Sequence, residues 1–316
     1  MSLTIFSHPD CEAHNMGEGH PEQPSRVRQL GRFAVDVSPQ ARVVFCDAPC
    51  VDIEQLKVSH SADYIDDLVR RDAKLQARLS AGEPSPCDQL DPDTLMMAHS
   101  WKAALRAAGA AVAAVDQVMS ARGDRAFAMV RPPGHHALKD AAMGFCILGN
   151  VAIAAHHAIN RYGLERVAIV DFDVHHGNGT EDIVQGDPRI RLYSSYQKNF
   201  YPFPNKAAAL ANVIHTPLAA GTAGDAYRQS VACWFDDLHQ FKPQLILVSA
   251  GFDAHTDDPL AQLCLNESDY TWITLELVKL ANQYAEGRLV SVLEGGYNLE
   301  ALSGSVAAHL DALLID

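Results

Sequence analysis

Four short apolar runs in this 316-residue chain each end in a burst of reactive side chains, and that repeated design constrains the fold more than any other feature. Ala126-Phe-Ala-Met-Val130 leads into Arg131-Pro-Pro-Gly-His-His136, and Arg166-Val-Ala-Ile-Val170 into Asp171-Phe-Asp-Val-His-His-Gly-Asn178. Gln244-Leu-Ile-Leu-Val-Ser-Ala250 leads into Gly251-Phe-Asp253, and Leu289-Val-Ser-Val-Leu293 into Glu294-Gly-Gly-Tyr297. Strands this rich in Val, Ile and Leu are the kind buried on both faces of a parallel sheet, and open α/β sheets bind ligands in the crevice beyond their carboxyl ends. The four polar termini are therefore expected to converge on one pocket at the lip of a parallel sheet, the arrangement of a metallohydrolase.

The second run carries the densest chemistry. Asp171, Asp173 and His175 are spaced i, i+2, i+4, so on extended backbone their side chains leave on one face and can converge on a cation. Oxygen and nitrogen ligands suit a borderline divalent ion, most simply Zn²⁺. Aspartate and histidine at a strand end also cap helices or join satisfied polar networks. Four titratable side chains within six residues, followed by Gly177 and Gly179, favour the site over that reading. Adjacent histidines point apart on regular structure, but the Pro-Pro-Gly turn frees His135 and His136 from that rule, and two imidazoles at a strand end can carry protons near neutral pH.

The rest of the chain sets bounds. Its 25 basic and 39 acidic residues, a formal net charge of −14, argue against a nucleic-acid surface and suit either a solvated acidic surface or a cationic substrate. The first residues lack the basic and long apolar regions of a signal peptide, and no stretch approaches a membrane span, so a cytoplasmic protein is expected. Seven scattered cysteines without a CxxC pair offer neither a disulfide framework nor a Cys-rich zinc site, and Cys146 reads as a small buried hydrophobe. Without a repeat or a low-complexity linker, residues 1–316 are expected to form one domain. Further strands are expected at Leu3–Phe6, Arg42–Cys46, Arg191–Ser195 and Asn212–His215, with Ala81–Asp93 as a Pro-rich surface loop. His8, His14 and His20 follow no regular period and read as surface or loop-bracing groups, and His156 and His157 fall inside a helix as structural or exposed residues. Phe200-Tyr-Pro-Phe203 can wall a narrow apolar channel or pack a turn.

Taken in order, His20-Pro-Glu22, Asp91-Pro-Asp-Thr94, Pro132-Pro-Gly-His-His136, Gly144-Phe-Cys146, Asp171-Phe-Asp-Val-His-His-Gly-Asn178, Gly251-Phe-Asp253 and Leu293-Glu-Gly-Gly-Tyr297 carry a family resemblance. They resemble the arginase/histone-deacetylase superfamily, and within it the class II-like deacetylases and acetylpolyamine amidohydrolases. The resemblance implies a single α/β domain whose eight-stranded, mostly parallel sheet is sandwiched by helices. It implies one catalytic Zn²⁺, with Fe²⁺ as the alternative ion, held by Asp173, His175 and Asp253. His135 and His136 resemble the tandem pair beside the attacking water, partnered by Asp171 and Asn178; class I members have Asp where Asn178 stands. Tyr297 resembles the phenol that donates to the developing oxyanion. Asp171 and Ser194, with backbone carbonyls around Asp173, His175 and Ser195, resemble an inner K⁺ site. Gly144, Phe145 and one of Phe200 or Tyr201 resemble the slot that sheathes an acyl-lysine, although the family's Phe-Phe-Pro is Phe200-Tyr-Pro202 here. Asp93 resembles a rim carboxylate that holds substrate amides, and Arg26 a residue lining an inner acetate channel.

The reaction implied is hydrolysis of an acetamide, with His136 moving the proton, His135 tuning the field, and Zn²⁺ and Tyr297 holding the negative oxygen. Polyamine-selective eukaryotic relatives carry Glu after the Asp-Pro that follows the third ligand, whereas Leu260 follows Asp258-Pro259 here. An acyl-lysine peptide or protein is therefore the expected substrate, with an acetylated polyamine as the alternative that an acidic first loop of Asp10, Glu12 and Glu18 can serve. A binuclear Mn²⁺ ureohydrolase is the more distant alternative, and the His pair and Tyr297 stand where it wants further carboxylates. A binding module without catalysis would be expected to lack one of these groups, and none is missing. No nucleic acid or membrane is expected as a partner; the sequence leaves monomer and homo-oligomer both open, relatives of this kind often being dimers or tetramers.

Overall fold

The computed structural model describes residues 2–37, 43–120, 124–203 and 210–315. Arg42, the start of the expected second strand, lies outside the described residues. In chain order the strands are Leu3–Ser7 (β1), Val43–Asp47 (β2), Cys87–Asp91 (β3), Thr94–Met97 (β4), Arg125–Ala128 (β5), Val167–Asp171 (β6), Ile190–Gln197 (β7), Val213–Leu218 (β8), Leu245–Ala250 (β9) and Leu289–Leu293 (β10). The helices are Asp10–Ala13 (α1), Ser25–Val37 (α2), Ile53–Leu56 (α3), Ala62–Ser80 (α4), Ser100–Ser120 (α5), Asn150–Tyr162 (α6), Asn178–Val184 (α7), Gly224–Phe241 (α8), Glu267–Tyr284 (α9) and Leu299–Leu313 (α10).

Eight strands form one sheet in the order β2-β1-β5-β10-β9-β6-β7-β8, parallel at every pairing. The mostly parallel sheet expected from the resemblance is thus parallel throughout the described residues. Both faces of its central strands are covered. Val167 and Ile169 of β6 join an apolar layer with Val115 of α5 and Val151 and Ile159 of α6. Ala168 and Val170 point the other way, into a layer with Tyr227 of α8, Leu277 of α9 and Val306 of α10. This is why the sequence shows continuous apolar runs in place of alternation. Leu245, Ile246, Leu247 and Val248 of β9 are fully buried. At roughly 1.5–3 kcal/mol each they contribute on the order of 6–12 kcal/mol before the entropy of ordering is counted.

Register brings the functional ends to one level. Asp171 closes β6 between Ser249 and Ser194, while Val292 of β10 stands beside Ala128 of β5 and Ser249 of β9. One expectation fails: Ala81–Asp93 is not loop throughout, because Cys87–Asp91 pairs antiparallel with Thr94–Met97 around Pro92-Asp93. Its Asp and Pro content reads as turn, and only the pairing with β4, unseen in the local pattern, makes it a strand. Among the described residues no helix is long and apolar enough to cross a membrane.

Candidate active site

Loops after β6 and β9 bring three ligand-type side chains together. The ligand atoms of Asp173, His175 and Asp253 lie within 4.8 Å of one another, and all three residues are buried. His175 Nδ1 is 3.0 Å from Asp173 Oδ1 and 3.2 Å from Asp253 Oδ2. Close backbone approach makes room for them: a Cβ on Gly295 would collide with both carboxylates, and one on Gly251 with that of Asp173. Amides grip the outer oxygens, Gly295 N–H donating to Asp173 Oδ2 and Val174 N–H to Asp253 Oδ1, each at 2.9 Å.

This set fits a divalent cation. Asp253 Oδ2 is buried and makes no well-formed hydrogen bond, its near neighbour being His175 Nδ1 at 3.2 Å. Burial, and then the charge of Asp173, push the Asp253 carboxyl above its ordinary value. Burial also opposes charge on His175, but its bonds to the two carboxylates outweigh that and lift its pKa to about 10. Positive charge is thus favoured where the three groups meet, and two carboxylates with one imidazole are a donor set that holds Zn²⁺ while leaving positions open. Asp171, which spacing alone grouped with Asp173 and His175, turns elsewhere because β6 ends at that residue. Its Oδ2 is 3.0 Å from His135 Nδ1, and its Oδ1 accepts from Asp173 N–H.

The tandem histidines come from the turn after β5, their rings 4.0 Å apart. His136 Nδ1 is 2.7 Å from Asn178 Oδ1 at the start of α7. Burial disfavours charge on both rings, yet they diverge. Asp173 and Asp171 raise His135 well above its ordinary value, whereas burial and the positive neighbours His135 and His175 push His136 well below. His136 is therefore the neutral ring, with Nδ1–H donating to Asn178 and Nε2 left as the basic nitrogen.

A cavity of about 220 Å³ opens onto this cluster, bordered by His136, His175 and Tyr297. Every expected wall residue borders it too: Gly144, Phe145, Phe200, Tyr201, Leu260 and, at the rim, Asp93. The two aromatics of the Phe-Tyr-Pro run both line it. Phe200 stacks on His175 with centroids 5.5 Å apart, and Tyr201 meets His136 edge-on at 5.3 Å. Opposite, Phe145 lies edge-on to Tyr297 at 6.0 Å. Gly144 and Phe145 both have positive φ, 54° and 70°, a strained choice for an aromatic residue. The β3–β4 hairpin secures them: Asp91 Oδ2 accepts from Gly144 N–H at 3.3 Å and Thr94 Oγ1 from Phe145 N–H at 2.9 Å.

Arg26 does not border the cavity. It is fully buried, its guanidinium 5.0 Å from the Tyr297 ring centroid, with Nε donating to Gly296 O at 2.7 Å. Ser194 stands beside Asp171 in the β6–β7 register, and its buried hydroxyl has no partner, which leaves an oxygen free for an inner cation. Ser195, next along β7, is buried as well.

Three supports carried no role in the sequence reading. Glu294 Oε2 accepts from Gly134 N–H at 2.6 Å and His135 N–H at 3.1 Å, fixing the histidine turn, and burial lifts this carboxyl to about 7. Asp258 accepts from Leu260 N–H at 3.0 Å on one oxygen and Tyr297 N–H at 2.7 Å on the other, so one carboxylate locks both sides of the cleft. Glu22 binds Arg131 through both oxygens and Arg26 at 3.1 Å, all three fully buried. Each lies in or beside a quoted motif, and a carboxylate three residues before Tyr297 was the available signal for Glu294. His14 braces the first loop by its bond to Ser100 Oγ at 2.7 Å, and His20 packs edge-on against Phe145 at 4.7 Å.

Residues 20–313 match the histone deacetylase domain family model. The histone deacetylase-like amidohydrolase of Pseudomonas aeruginosa is 36% identical over 93% of this chain and 80% of its own length. Type-2 histone deacetylase 2 of Dictyostelium discoideum is 35% identical over 100% of this chain, which spans 21% of that longer protein. A solved structure of the HDA15 HD domain superposes with a TM-score of 0.88 at 28% identity, covering 99% of this chain and 89% of that one. The chain belongs to the histone deacetylase family, and its fold is that of a deacetylase-family hydrolase domain.

Proposed function

We propose that this protein hydrolyses the amide of an acylated primary amine, with Zn²⁺ as its ion and an acyl-lysine side chain of a peptide or protein as its substrate. One observation carries the reading: a neutral, buried His136 faces the same cavity as the Asp173–His175–Asp253 cluster and Tyr297. When bound, the divalent ion supplies Lewis acidity, polarising the amide carbonyl and easing loss of a proton from water. His136 takes that proton at Nε2 and hands it to the departing amine, with Asn178 holding Nδ1–H throughout. His135, kept positive by Asp171 and Asp173, strengthens the field around the developing negative oxygen, and the Tyr297 hydroxyl donates to that oxygen. Phe145, Phe200 and Tyr201 enclose the methylenes between amide and backbone.

Fe²⁺ is the alternative ion at this donor set, and K⁺ is assigned to the Asp171–Ser194–Ser195 region, with the loop backbone at Asp173 and His175 completing it. Arg26, behind Tyr297, is assigned to the inner route by which acetate leaves. Lysine is preferred over polyamine for two reasons. Leu260 places an apolar side chain at the gate. Of the first loop's acidic residues, Asp10 is tied to Arg106 and Lys102, and Glu12 to Arg28, which leaves the exposed Glu18 as the remaining carboxylate for a polycation. The test is kcat/KM on an acetyl-lysine peptide beside trifluoroacetyl-lysine, acetylputrescine and acetylspermidine. The expected preference for peptide is about ten-fold or more, the size of a pocket-level discrimination. Equal or reversed preference defeats the lysine assignment, and no turnover of any acyl amide by metal-loaded protein defeats the reaction.

A further inference from the structure

A second group of ligand-type side chains lies on the far side of the loop that carries His175. His176, the next residue, directs Nε2 to within 2.9 Å of Glu181 Oε2 on α7. His215 of β8 brings its own Nε2 to 3.3 Å from the same oxygen. The two rings are 5.1 Å apart, and one ligand atom from each residue falls within 4.8 Å of the others. The Tyr196 ring of β7 covers both, at 4.7 Å from His176 and 6.0 Å from His215.

We propose that His176, Glu181 and His215 form a second metal site, separate from the Asp173–His175–Asp253 centre and selective for a borderline divalent ion of the Zn²⁺ class. As a set of hydrogen bonds the cluster is incomplete. His215 Nε2, 3.3 Å from Glu181 Oε2, is buried without a hydrogen bond, and the only bond that closes the group is the one from the 3% exposed His176 to the same oxygen. A buried nitrogen left so loses its hydration without a replacement. A cation between the three groups accepts the imidazole lone pair aimed at it and the carboxylate together. The spacing suits one: zinc bonds of about 2.0–2.1 Å in a tetrahedron separate neighbouring ligand atoms by about 3.3 Å. The His215–Glu181 distance already matches, and the His176–Glu181 distance needs to open by a few tenths of an ångström. Two imidazoles and one carboxylate select transition ions over Ca²⁺ or Mg²⁺, which prefer all-oxygen shells. Side chains of Glu181 and His215 retain 15% and 17% exposure, so solvent can fill the fourth position.

The site would clip the β6–α7 loop, and with it the backbone of His175, to β8. It also means that two ions per chain do not indicate a binuclear reaction centre, because the second stands behind the catalytic loop. The experiment strips the full-length protein with a chelator, reloads it with Zn²⁺ or Co²⁺, removes unbound ion by desalting, and counts metal per folded chain. Two ions are expected in the wild type. One is expected in His215→Gln and in Glu181→Gln, with deacetylation by these variants staying near the wild-type rate. One is also expected in Asp173→Ala, whose Co²⁺ absorption then reports nitrogen and oxygen ligands with no turnover. Folding is checked by circular dichroism, and the Asp173→Ala count carries the decision if both other variants unfold. A single ion in saturated wild type, two ions in folded His215→Gln and Glu181→Gln, or none in folded Asp173→Ala would overturn the proposal. This count does not depend on which acyl substrate the cleft takes.

Discussion

Glu22 and Asp253 are both fully buried carboxylates near the same cleft, yet their surroundings treat them in opposite ways. Burial opposes ionisation of each. At Glu22 the Arg131 guanidinium leads a set of neighbours, with Arg26 among them, that overcomes burial and holds the carboxyl down at about 2. At Asp253 the next influence after burial is the like charge of Asp173, so its carboxyl rises even with His175 Nδ1 3.2 Å from Oδ2. The first cluster closes its own charge with protein groups and fixes loops in place. The second sets two carboxylates against one imidazole and so carries an excess of negative charge, a cost in the metal-free protein that a bound ion removes. A structural charge cluster and a functional one can thus be told apart by whether the chain supplies the counter-ion.

Substitutions test that contrast from the strongest effect downward. Asp173→Ala is expected to empty the reaction centre and lower kcat/KM by on the order of 10⁴-fold or more, read by turnover assays. An unimpaired rate would mean that this cluster is not the open one. Glu22→Gln leaves two buried guanidiniums without their anion and is expected to destabilise the fold by about 3–5 kcal/mol in urea unfolding. Tyr297→Phe keeps the ion and the fold but should lower turnover by about 10²- to 10³-fold, the loss typical of one oxyanion donor. Undiminished rates there would remove the phenol from the mechanism.

Acid titration sharpens the comparison further. The Glu22 pKa is depressed in the folded protein, so its contribution is fully present above its ordinary value of 4.5 and is lost as pH falls toward 2. That swing is about 3 kcal/mol, and it should appear as the difference between wild type and Glu22→Gln across that window. A pH-independent difference would show that the arginines do not depend on the Glu22 charge. The smallest effect has the opposite sign. In chelator-stripped protein Asp253→Asn should raise stability by about 0.5–2 kcal/mol while ending metal-dependent turnover, since it removes the excess of buried negative charge. A clear loss of stability would place Asp253 with Glu22 among the self-neutralised groups.

Much of the fold was legible because buried parallel strands write themselves as continuous apolar runs, and β5, β6, β9 and β10 could be read from that alone to within two residues at their ends. Their polar termini then pointed to one rim. Spacing misled at Asp171, because the i, i+2, i+4 rule holds only while the backbone stays extended, and β6 stops there. The β3–β4 hairpin was hidden since a ribbon of Cys, Asp, Gln and Leu lacks the β-branched pattern and depends on its partner strand. Glu294, Asp258 and the Glu22–Arg131 pair were hidden for a different reason: their roles arise from contacts between residues 39 to 160 positions apart, which no local window contains. His176 shows the same limit, its partner His215 arriving from another strand.

The left-handed Gly144–Phe145 pair has one more implication. Its amides hang from Thr94 and Asp91, on a two-strand ribbon that is no part of the eight-stranded sheet. The aperture of the slot is thereby suspended from a peripheral hairpin, while the proton-handling groups are anchored to the central strands. Guest width and chemical step answer to different pieces of scaffold, so alterations in the hairpin can retune which acyl chains enter and leave the hydrolytic apparatus untouched.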